Sequence, residues 1–222
     1  MKKFIVLFLI FISIVPVFAN TARYNEIEMG ISYAVSKAKD PNTDRILAPD
    51  GYSVNGVGLS LYYSRTVHTK RGFDLDIWSQ FSFVLPQRIE LGNTLITKDV
   101  AKRFSFLDFA VGACFDFTWG VFHLVTGAGY SITNIEVKYK TGEYSSRSYN
   151  AISSGPALLL KTEYELADKA FLSFTVLPQL IIRTHRDIHE YDWGYHRIAT
   201  ATDKGYTLGY TCSATLALNY HF

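Results

Sequence analysis

The side chains most able to do chemistry are acids and bases that recur on one face of short alternating segments. Asp116 and His123 flank a short turn at 118–120, which predicts that the two side chains are cross-strand neighbours. The same face carries further acids and bases in other segments. The group that we expect to form an ionic network is Asp74, Asp76, Asp116, His123, Lys161 and Glu163, with Glu26, Glu28, Glu165 and His221 nearby.

This network has three interpretations. A hydrogen-bonded ionic plug is favoured, because buried charges persist only when they are paired or hydrated. The acids outnumber the bases, which leaves open a water-filled passage that favours cations. An active site built on Asp116 and His123 is disfavoured, because covalent catalysis needs an activated nucleophile and no serine is convincingly placed beside them. The sequence therefore predicts no catalytic site and no cofactor.

Two polar segments contain a second group of candidate residues. In segment 184–204, His185 and His189 are four residues apart, a spacing that binds metal on a helix; in a predicted loop it indicates no metal site. The Tyr and Ser content of segment 133–149 suits adaptable contacts with a partner or with lipopolysaccharide. The predicted loop-contact residues are Tyr139, Tyr144, Tyr149, His185, His189, Tyr191, Trp193 and Tyr195.

Composition limits what kind of chain can position these residues. The 222 residues suffice for one domain, 19% of them are charged and 15% are aromatic. The excess of Tyr and Phe favours strands over helices. A formal net charge of +2 gives no strong field for nucleic acid. The apolar content excludes a disordered chain.

Residues 1–19 are predicted to be a secretory signal peptide. Lys2 and Lys3 precede an apolar run from Phe4 to Val15, and Ala19 provides a small residue before the cleavage point. The run is shorter than the roughly 20 residues that a membrane-spanning helix needs. We therefore expect an exported protein whose mature domain is 20–222.

The rest of the sequence alternates between apolar and polar residues with a period of two, which is typical of half-buried strands. Most of these segments have about the ten residues that a tilted strand needs to cross the hydrocarbon core of a membrane. Long polar connections are predicted at 37–52, 85–103, 133–149 and 184–204, and short ones at 65–71, 118–120 and 167–170. The predicted strands are 26–35, 56–63, 73–83, 107–117, 122–131, 155–166, 172–183 and 206–222.

Alternation alone fits either a soluble, lipocalin-like barrel with its apolar face inward or a membrane barrel with that face outward. The polar face consists largely of Gly, Ser, Ala and Thr, which suit the narrow interior of an eight-stranded barrel. Aromatic residues cluster near both ends of the apolar face, where amphipathic rings meet lipid headgroups. The sequence therefore favours an all-β, eight-stranded antiparallel up-and-down transmembrane β-barrel.

The last predicted strand alternates up to Tyr220, His221 and Phe222. It resembles the C-terminal signature of bacterial outer-membrane barrels, whose final Phe is recognised by the insertion machinery. Together with the eight strands, this makes the chain similar to the small OmpA, OmpX, OmpW and Opa-like barrels, without assigning one family. The resemblance implies a bacterial outer-membrane location, outer-membrane lipid as surroundings, and Tyr220 and Phe222 as the insertion signal.

We expect a monomer with a structural or surface-interaction, adhesin-like role through four extracellular loops and a host or extracellular ligand. The alternatives are a narrow, OmpW-like channel for small or hydrophobic solutes and, less favoured, an enzyme that modifies outer-membrane lipid.

Three details of register complete these expectations. Cys114 is predicted to face the lumen and Cys212 the lipid from across the barrel, so both thiols should be unpaired. Pro156 and Pro178 lack a ladder donor and predict local bulges near the outer rim. Arg183 is predicted to face the lumen.

Overall fold

The computed structural model describes residues 25–39, 51–70, 73–97, 99–143, 145–192 and 196–222. The predicted signal peptide and the candidate residues Tyr144, Trp193 and Tyr195 lie outside these ranges. Within them, no helix is long and apolar enough to cross a membrane. The strands are β1 (Asn25–Lys39), β2 (Gly51–Lys70), β3 (Phe73–Leu91), β4 (Thr94–Ile96), β5 (Ala101–Trp119), β6 (Phe122–Lys140), β7 (Ser146–Ala167), β8 (Ala170–Tyr191) and β9 (Arg197–His221).

Eight of these strands form a closed antiparallel ring in chain order. The ring runs β1, β2, β3, β5, β6, β7, β8, β9, and β9 pairs back with β1 from Glu26 opposite His221 to Lys39 opposite Leu208. Short β4 pairs only with the end of β3. Closure satisfies the backbone donors and acceptors of the end strands. The predicted eight-stranded up-and-down barrel is confirmed.

The outer surface of the barrel carries a belt of exposed apolar side chains. Leu59 is 61% exposed and Leu216 57%, whereas their polar sequence neighbours are buried in the lumen. On β8 the belt extends from Leu172 to Ile182. At a rise of about 3.3 Å per residue and a tilt of about 40°, the ten steps from the first of these residues to the last give a height of roughly 25 Å, the usual apolar band of a membrane barrel. This orientation rules out the soluble barrel.

The strands continue well beyond the belt at the end opposite the short turns. We call this part the extension; it comprises the described residues of 36–55, 86–105, 133–153 and 183–206. The prediction of long loops at 133–149 and 184–204 was wrong, because β6 and β7 remain paired to Lys140 and Ser146, and β8 and β9 to Tyr191 and Arg197. Inward apolar residues maintain the alternation there, with polar residues facing outward.

Small residues in the lumen let the large ones fit. A Cβ on Gly129 would lie 2.2 Å from the carbonyl oxygen of Val111 and 2.9 Å from the buried ring of Trp78. The narrow interior of an eight-stranded barrel therefore requires glycine where it also holds a Trp ring.

The two prolines differ in their effect on the ladder. The β7–β8 register shifts between Ser154 and Ala157, beside Pro156, as predicted. Pro178 itself pairs in register with Cys212, and the β8–β9 shift lies further along, between Ile181 and Arg183. This bulge turns Arg183 to the exposed outer face, so the prediction that it faces the lumen was wrong.

The two cysteines are unpaired. Cys114 is 1% exposed and faces the lumen, and Cys212 lies half-buried on the outer face. We expect alkylation in denaturant without a reductant to modify both thiols, as read by mass spectrometry. In the folded protein Cys114 should resist the reagent, because the surrounding wall excludes it. A disulfide, or rapid modification of folded Cys114, would contradict the register.

Candidate functional site

The short-turn end of the lumen contains a buried cluster of one cation and three carboxylates. Its centre is the fully buried ammonium of Lys161, which β7 projects inward. Lys161 Nζ lies 2.9 Å from Glu28 Oε2 and 2.6 Å from Glu163 Oε1, and it also pairs with Glu26. Because β1 supplies Glu26 and Glu28, the cluster joins two strands that do not pair with each other.

Neutral groups complete this Lys161 cluster. Asn219 Nδ2 donates to Glu26 Oε1 at 2.6 Å and to Glu163 Oε1 at 2.7 Å, and the Ser64 hydroxyl donates to Glu26 Oε2 at 2.7 Å. The three carboxylates together have one ammonium close by, so these hydrogen bonds share in stabilising the charge. Such a cluster is costly to disrupt, since removal of one partner leaves buried charges unpaired.

An aromatic layer lies directly above the Lys161 cluster. Lys161 Nζ is 4.0 Å from the centroid of the Tyr62 ring, and Tyr62 stacks on Trp78 with centroids 6.4 Å apart. Both rings are essentially inaccessible. The buried residues packed with them are Ala110, Cys114, Val125, Ala157, Leu159 and Leu177.

Two further layers fill the lumen towards the extension. Gln179 Nε2 donates to Asp108 Oδ2 at 2.6 Å, and the Thr133 hydroxyl donates to Asp108 Oδ1 at 2.9 Å. Above this polar layer the extension has a mainly apolar interior, which also contains the buried hydroxyls of Ser36, Ser153 and Thr184 and the buried side chain of Arg186. The buried apolar cluster that fills it also includes four residues just below the extension, and its members are Ala34, Ala38, Tyr52, Val54, Val84, Ile89, Leu91, Ile96, Phe106, Ile135, Val137, Tyr139, Tyr149, Ala151, Ile181 and Ile188.

Below the Lys161 cluster, a pocket of about 240 Å³ is lined by acids and histidines. Asp74 on β3 lies opposite Asp116 on β5, with Asp76 beside them, and Glu26 and His221 also line the pocket. The predicted network is thus divided in space: Lys161 and Glu163 belong to the buried cluster, and the three aspartates and His123 line the pocket. Glu26 and Glu28 are the main cluster residues that the predicted network left out, although they face the lumen in the alternation.

The Asp116–His123 pair does not have the geometry of a catalytic relay. His123 Nδ1 lies 3.1 Å from Asp116 Oδ2, and the Thr118 hydroxyl approaches the same nitrogen at 3.4 Å. In a catalytic triad the acid and the nucleophile contact different nitrogens of the histidine ring. Thr118 therefore competes with Asp116 for Nδ1 and is not activated through Nε2.

One group of described residues has metal-ligand spacing, namely Glu26, Glu163 and His221. The same two glutamates already pair with the Lys161 ammonium. A metal ion there would be repelled by that ammonium at close range. The group is therefore better explained as part of the ion-pair cluster.

The candidate loop residues have two different positions. Tyr139 and Tyr149 were predicted to make loop contacts, but they lie in strands and point into the extension, where burial raises the pKa of both phenols. His185, His189 and Tyr191 lie on the outer face of β8. The loop prediction failed because period-two alternation continues through both segments, a signal that was already present in the sequence.

The chain's final residues lie on the outer face at the short-turn end. The rings of Tyr220 and Phe222 stack with centroids 6.4 Å apart, and the backbone of Phe222 exchanges two 2.8 Å hydrogen bonds with Asn25. The backbone pairing of the last strand with the first strand closes the barrel. The role of the two rings as an insertion signal stays a prediction.

Comparison with known proteins identifies the fold. No protein-family model and no curated protein matches the sequence. Among solved structures, a major outer membrane protein from Thermus thermophilus aligns with 91% of this chain and all of its own, at TM-score 0.54 and 11% identity. The outer membrane protein OprG from Pseudomonas aeruginosa aligns at TM-score 0.54 and 15% identity, covering 92% of this chain and 98% of that one. The outer membrane protease OmpT from Escherichia coli aligns at TM-score 0.50 and 8% identity, covering 90% and 96%. The chain therefore has the fold of bacterial outer-membrane β-barrels.

Replacement of the buried ammonium tests the Lys161 cluster. Lys161→Met should lower the free energy of unfolding by about 3–5 kcal/mol at pH 8, because three carboxylates lose their common cation. The deficit should shrink as the pH falls, since protonation neutralises the carboxyls in the folded variant. Urea titration of the folded protein in lipid vesicles, followed by Trp fluorescence, measures both effects.

Two controls define the result. Lys140→Met, on the exposed end of β6, should leave the urea midpoint nearly unchanged. Adding Glu26→Gln and Glu163→Gln to Lys161→Met should recover much of the lost stability. Equal midpoints for Lys161→Met and the wild type would show that the ion pairs do not stabilise the barrel.

Proposed function

We propose that this chain is an integral outer-membrane barrel with a structural or surface-interaction role and a closed lumen. The observation that carries the proposal is the filling of the interior by successive layers of side chains. The Lys161 cluster, the stacked Tyr62 and Trp78 rings, the Asp108 layer and the apolar extension follow one another along the axis. Close packing of this kind leaves no continuous path for a solute between the described strands.

The extension supplies the surface for such a role. It raises paired strands by roughly 20 Å above the belt, estimated from about eight residues of tilted strand. Its packed apolar interior holds the wall rigid, so outward side chains are pre-organised for a partner.

One part of this wall combines cations with aromatic rings. We call it the His189 surface; it consists of His189, Tyr191 and Arg197. Arg197 Nε donates to His189 Nδ1 at 3.1 Å, and Lys138 Nζ lies 4.9 Å from the centroid of the Tyr191 ring. Guanidinium groups bind carboxylates and sulfates in bidentate geometry, so the partner class that this surface suits best is an anionic glycan.

A gated cation path is the second candidate, and the acidic pocket at the short-turn end favours it. Asp74, Asp76 and Asp116 would attract cations into that end of the lumen. Passage would then require the Lys161 cluster and the Tyr62–Trp78 stack to move aside. The tight packing of both layers supports the closed barrel instead.

Conductance separates these two candidates. Folded protein in planar bilayers should show no unitary openings, because the layers of side chains block ion flow. A known porin, measured at the same protein concentration, shows that the recording can detect single-channel openings. Resolved openings that decrease in Asp74→Asn/Asp76→Asn would overturn the closed-lumen proposal and support the cation path.

Binding to an anionic glycan tests the surface role. Protein in nanodiscs should bind immobilised heparin more strongly than neutral mannan, and His189→Ala/Tyr191→Ala/Arg197→Ala should weaken that binding at least tenfold. Surface plasmon resonance measures the affinities. The test uses point substitutions because deleting 133–149 or 184–204 would remove paired strands.

The matched control is Gln87→Ala/Arg88→Ala/Thr94→Ala on β3 and β4, across the barrel from β8, which like the test variant removes one guanidinium group and two other side chains. It should bind heparin like the wild type. Equal weakening by both triple variants would point to diffuse electrostatic attraction, and no heparin binding by the wild type would remove the anionic-glycan assignment.

A further inference from the structure

Cations and tyrosines lie together on the outer wall of β1, β8 and β9, immediately above the apolar belt. We call this group the basic–aromatic patch; it consists of Lys37, Lys39, Arg183, Tyr206 and Tyr210. The strand registers place Lys37 opposite Tyr210, Lys39 opposite Leu208, and Arg183 opposite Tyr206. The three cations therefore flank one outward row of β9 from both sides.

Ion pairing distinguishes this patch from the opposite wall. Among the described residues, no carboxylate lies within ion-pairing distance of Lys37, Lys39 or Arg183. On the opposite wall, Arg88 Nη2 lies 2.5 Å from Glu90 Oε1, and Arg103 Nε lies 4.0 Å from Glu136 Oε1. Within the described ranges, the three cations of the patch are therefore available to an external anion, unlike Arg88 and Arg103.

The depth of the patch coincides with a membrane interface. Tyr206 is 75% exposed and Leu208 73%, among the most exposed large side chains of the barrel. Towards the short-turn end, β1 continues with the exposed apolar residues Tyr33 and Ile31. Tyrosine rings and the aliphatic stems of lysine and arginine favour the level at which acyl chains meet headgroups.

A bulge in the backbone of β8 presents one of these cations at the surface. The register shift between Ile181 and Arg183 brings Arg183 to the outer face, and its guanidinium carbon lies 5.7 Å from the centroid of the Tyr206 ring. Without the bulge, alternation would point this cation into the lumen. The contact with the ring orients the guanidinium where a headgroup phosphate would lie.

We infer that the basic–aromatic patch binds the phosphate groups of an anionic outer-leaflet lipid. The inference rests on the proposed membrane placement of the barrel and is independent of the His189 surface. The lipid's acyl chains would lie along the belt below Leu208, and its phosphates would bridge the lysines of β1 and Arg183. Lys and Arg together match a lipid that carries more than one phosphate.

Native mass spectrometry of the folded, full-length protein tests this inference with diphosphoryl lipid A as the probe. We expect the wild type to retain lipid A, and Lys37→Gln/Lys39→Gln/Arg183→Gln to bind it at least tenfold more weakly. Phosphatidylcholine should bind both proteins equally. Inorganic phosphate at the same concentration should not displace lipid A, because it lacks the acyl chains that occupy the belt.

The control variant Arg88→Gln/Arg103→Gln/Lys140→Gln removes three cations from the other side of the barrel and should retain lipid A like the wild type. The mobility shift of folded against heated protein on a gel establishes that each variant has folded. Equal retention of lipid A by the patch variant and the wild type would overturn the inference. That outcome would leave the closed-lumen proposal intact, since bilayer conductance tests it separately.

Discussion

Lipid offers no hydrogen bonds, and this constraint determines the structure of the chain. Each backbone N–H and C=O at membrane depth must find a partner within the protein, and a closed ring of strands provides one for all of them. Once the ring has eight strands, its interior is only wide enough for side chains. The pairing of β9 with β1 therefore fixes the fold and also the narrow lumen in which every inward polar group must be satisfied.

The lumen meets much of this demand with ion pairs and side-chain hydrogen bonds, which are gathered into polar layers separated by apolar ones. The Lys161 ammonium neutralises charge at the short-turn end, where Glu26, Glu28 and Glu163 converge on it. The Tyr62 ring lies over this cation and, with Trp78, separates the cluster from the next polar layer at Asp108. A fully apolar interior at this end would leave the barrel without this link between β1 and β7, two strands that share no backbone hydrogen bonds.

The sequence predicted the parts of the fold that follow from alternation, and it missed those that depend on where alternation stops. Period-two patterns indicated the eight strands, the outward belt and the lumen position of Lys161. Polar composition concealed the extension, because paired strands outside the membrane have a solvated outer face that resembles a loop. The convergence of Glu26 and Lys161 could not be predicted, since it depends on strand stagger around the whole ring. The prediction for Arg183 was wrong for a local reason. A bulge reverses the face to which the following residues point, and nearby prolines are the only sign of it in the sequence.

The extension explains why a small barrel would bury an apolar core outside the membrane. Long mobile loops would have to lose conformational entropy on binding a partner, whereas paired strands have lost it already on folding. Residues such as Ile135, Val137 and Tyr149 stabilise the wall from within, and this leaves its outer face free to vary in charge. The two anion sites that we propose then lie at different heights, the basic–aromatic patch at the lipid interface and the His189 surface above it. A surface role follows more naturally from this arrangement than a transport role, because the core that supports the wall is also part of the proposed closed lumen.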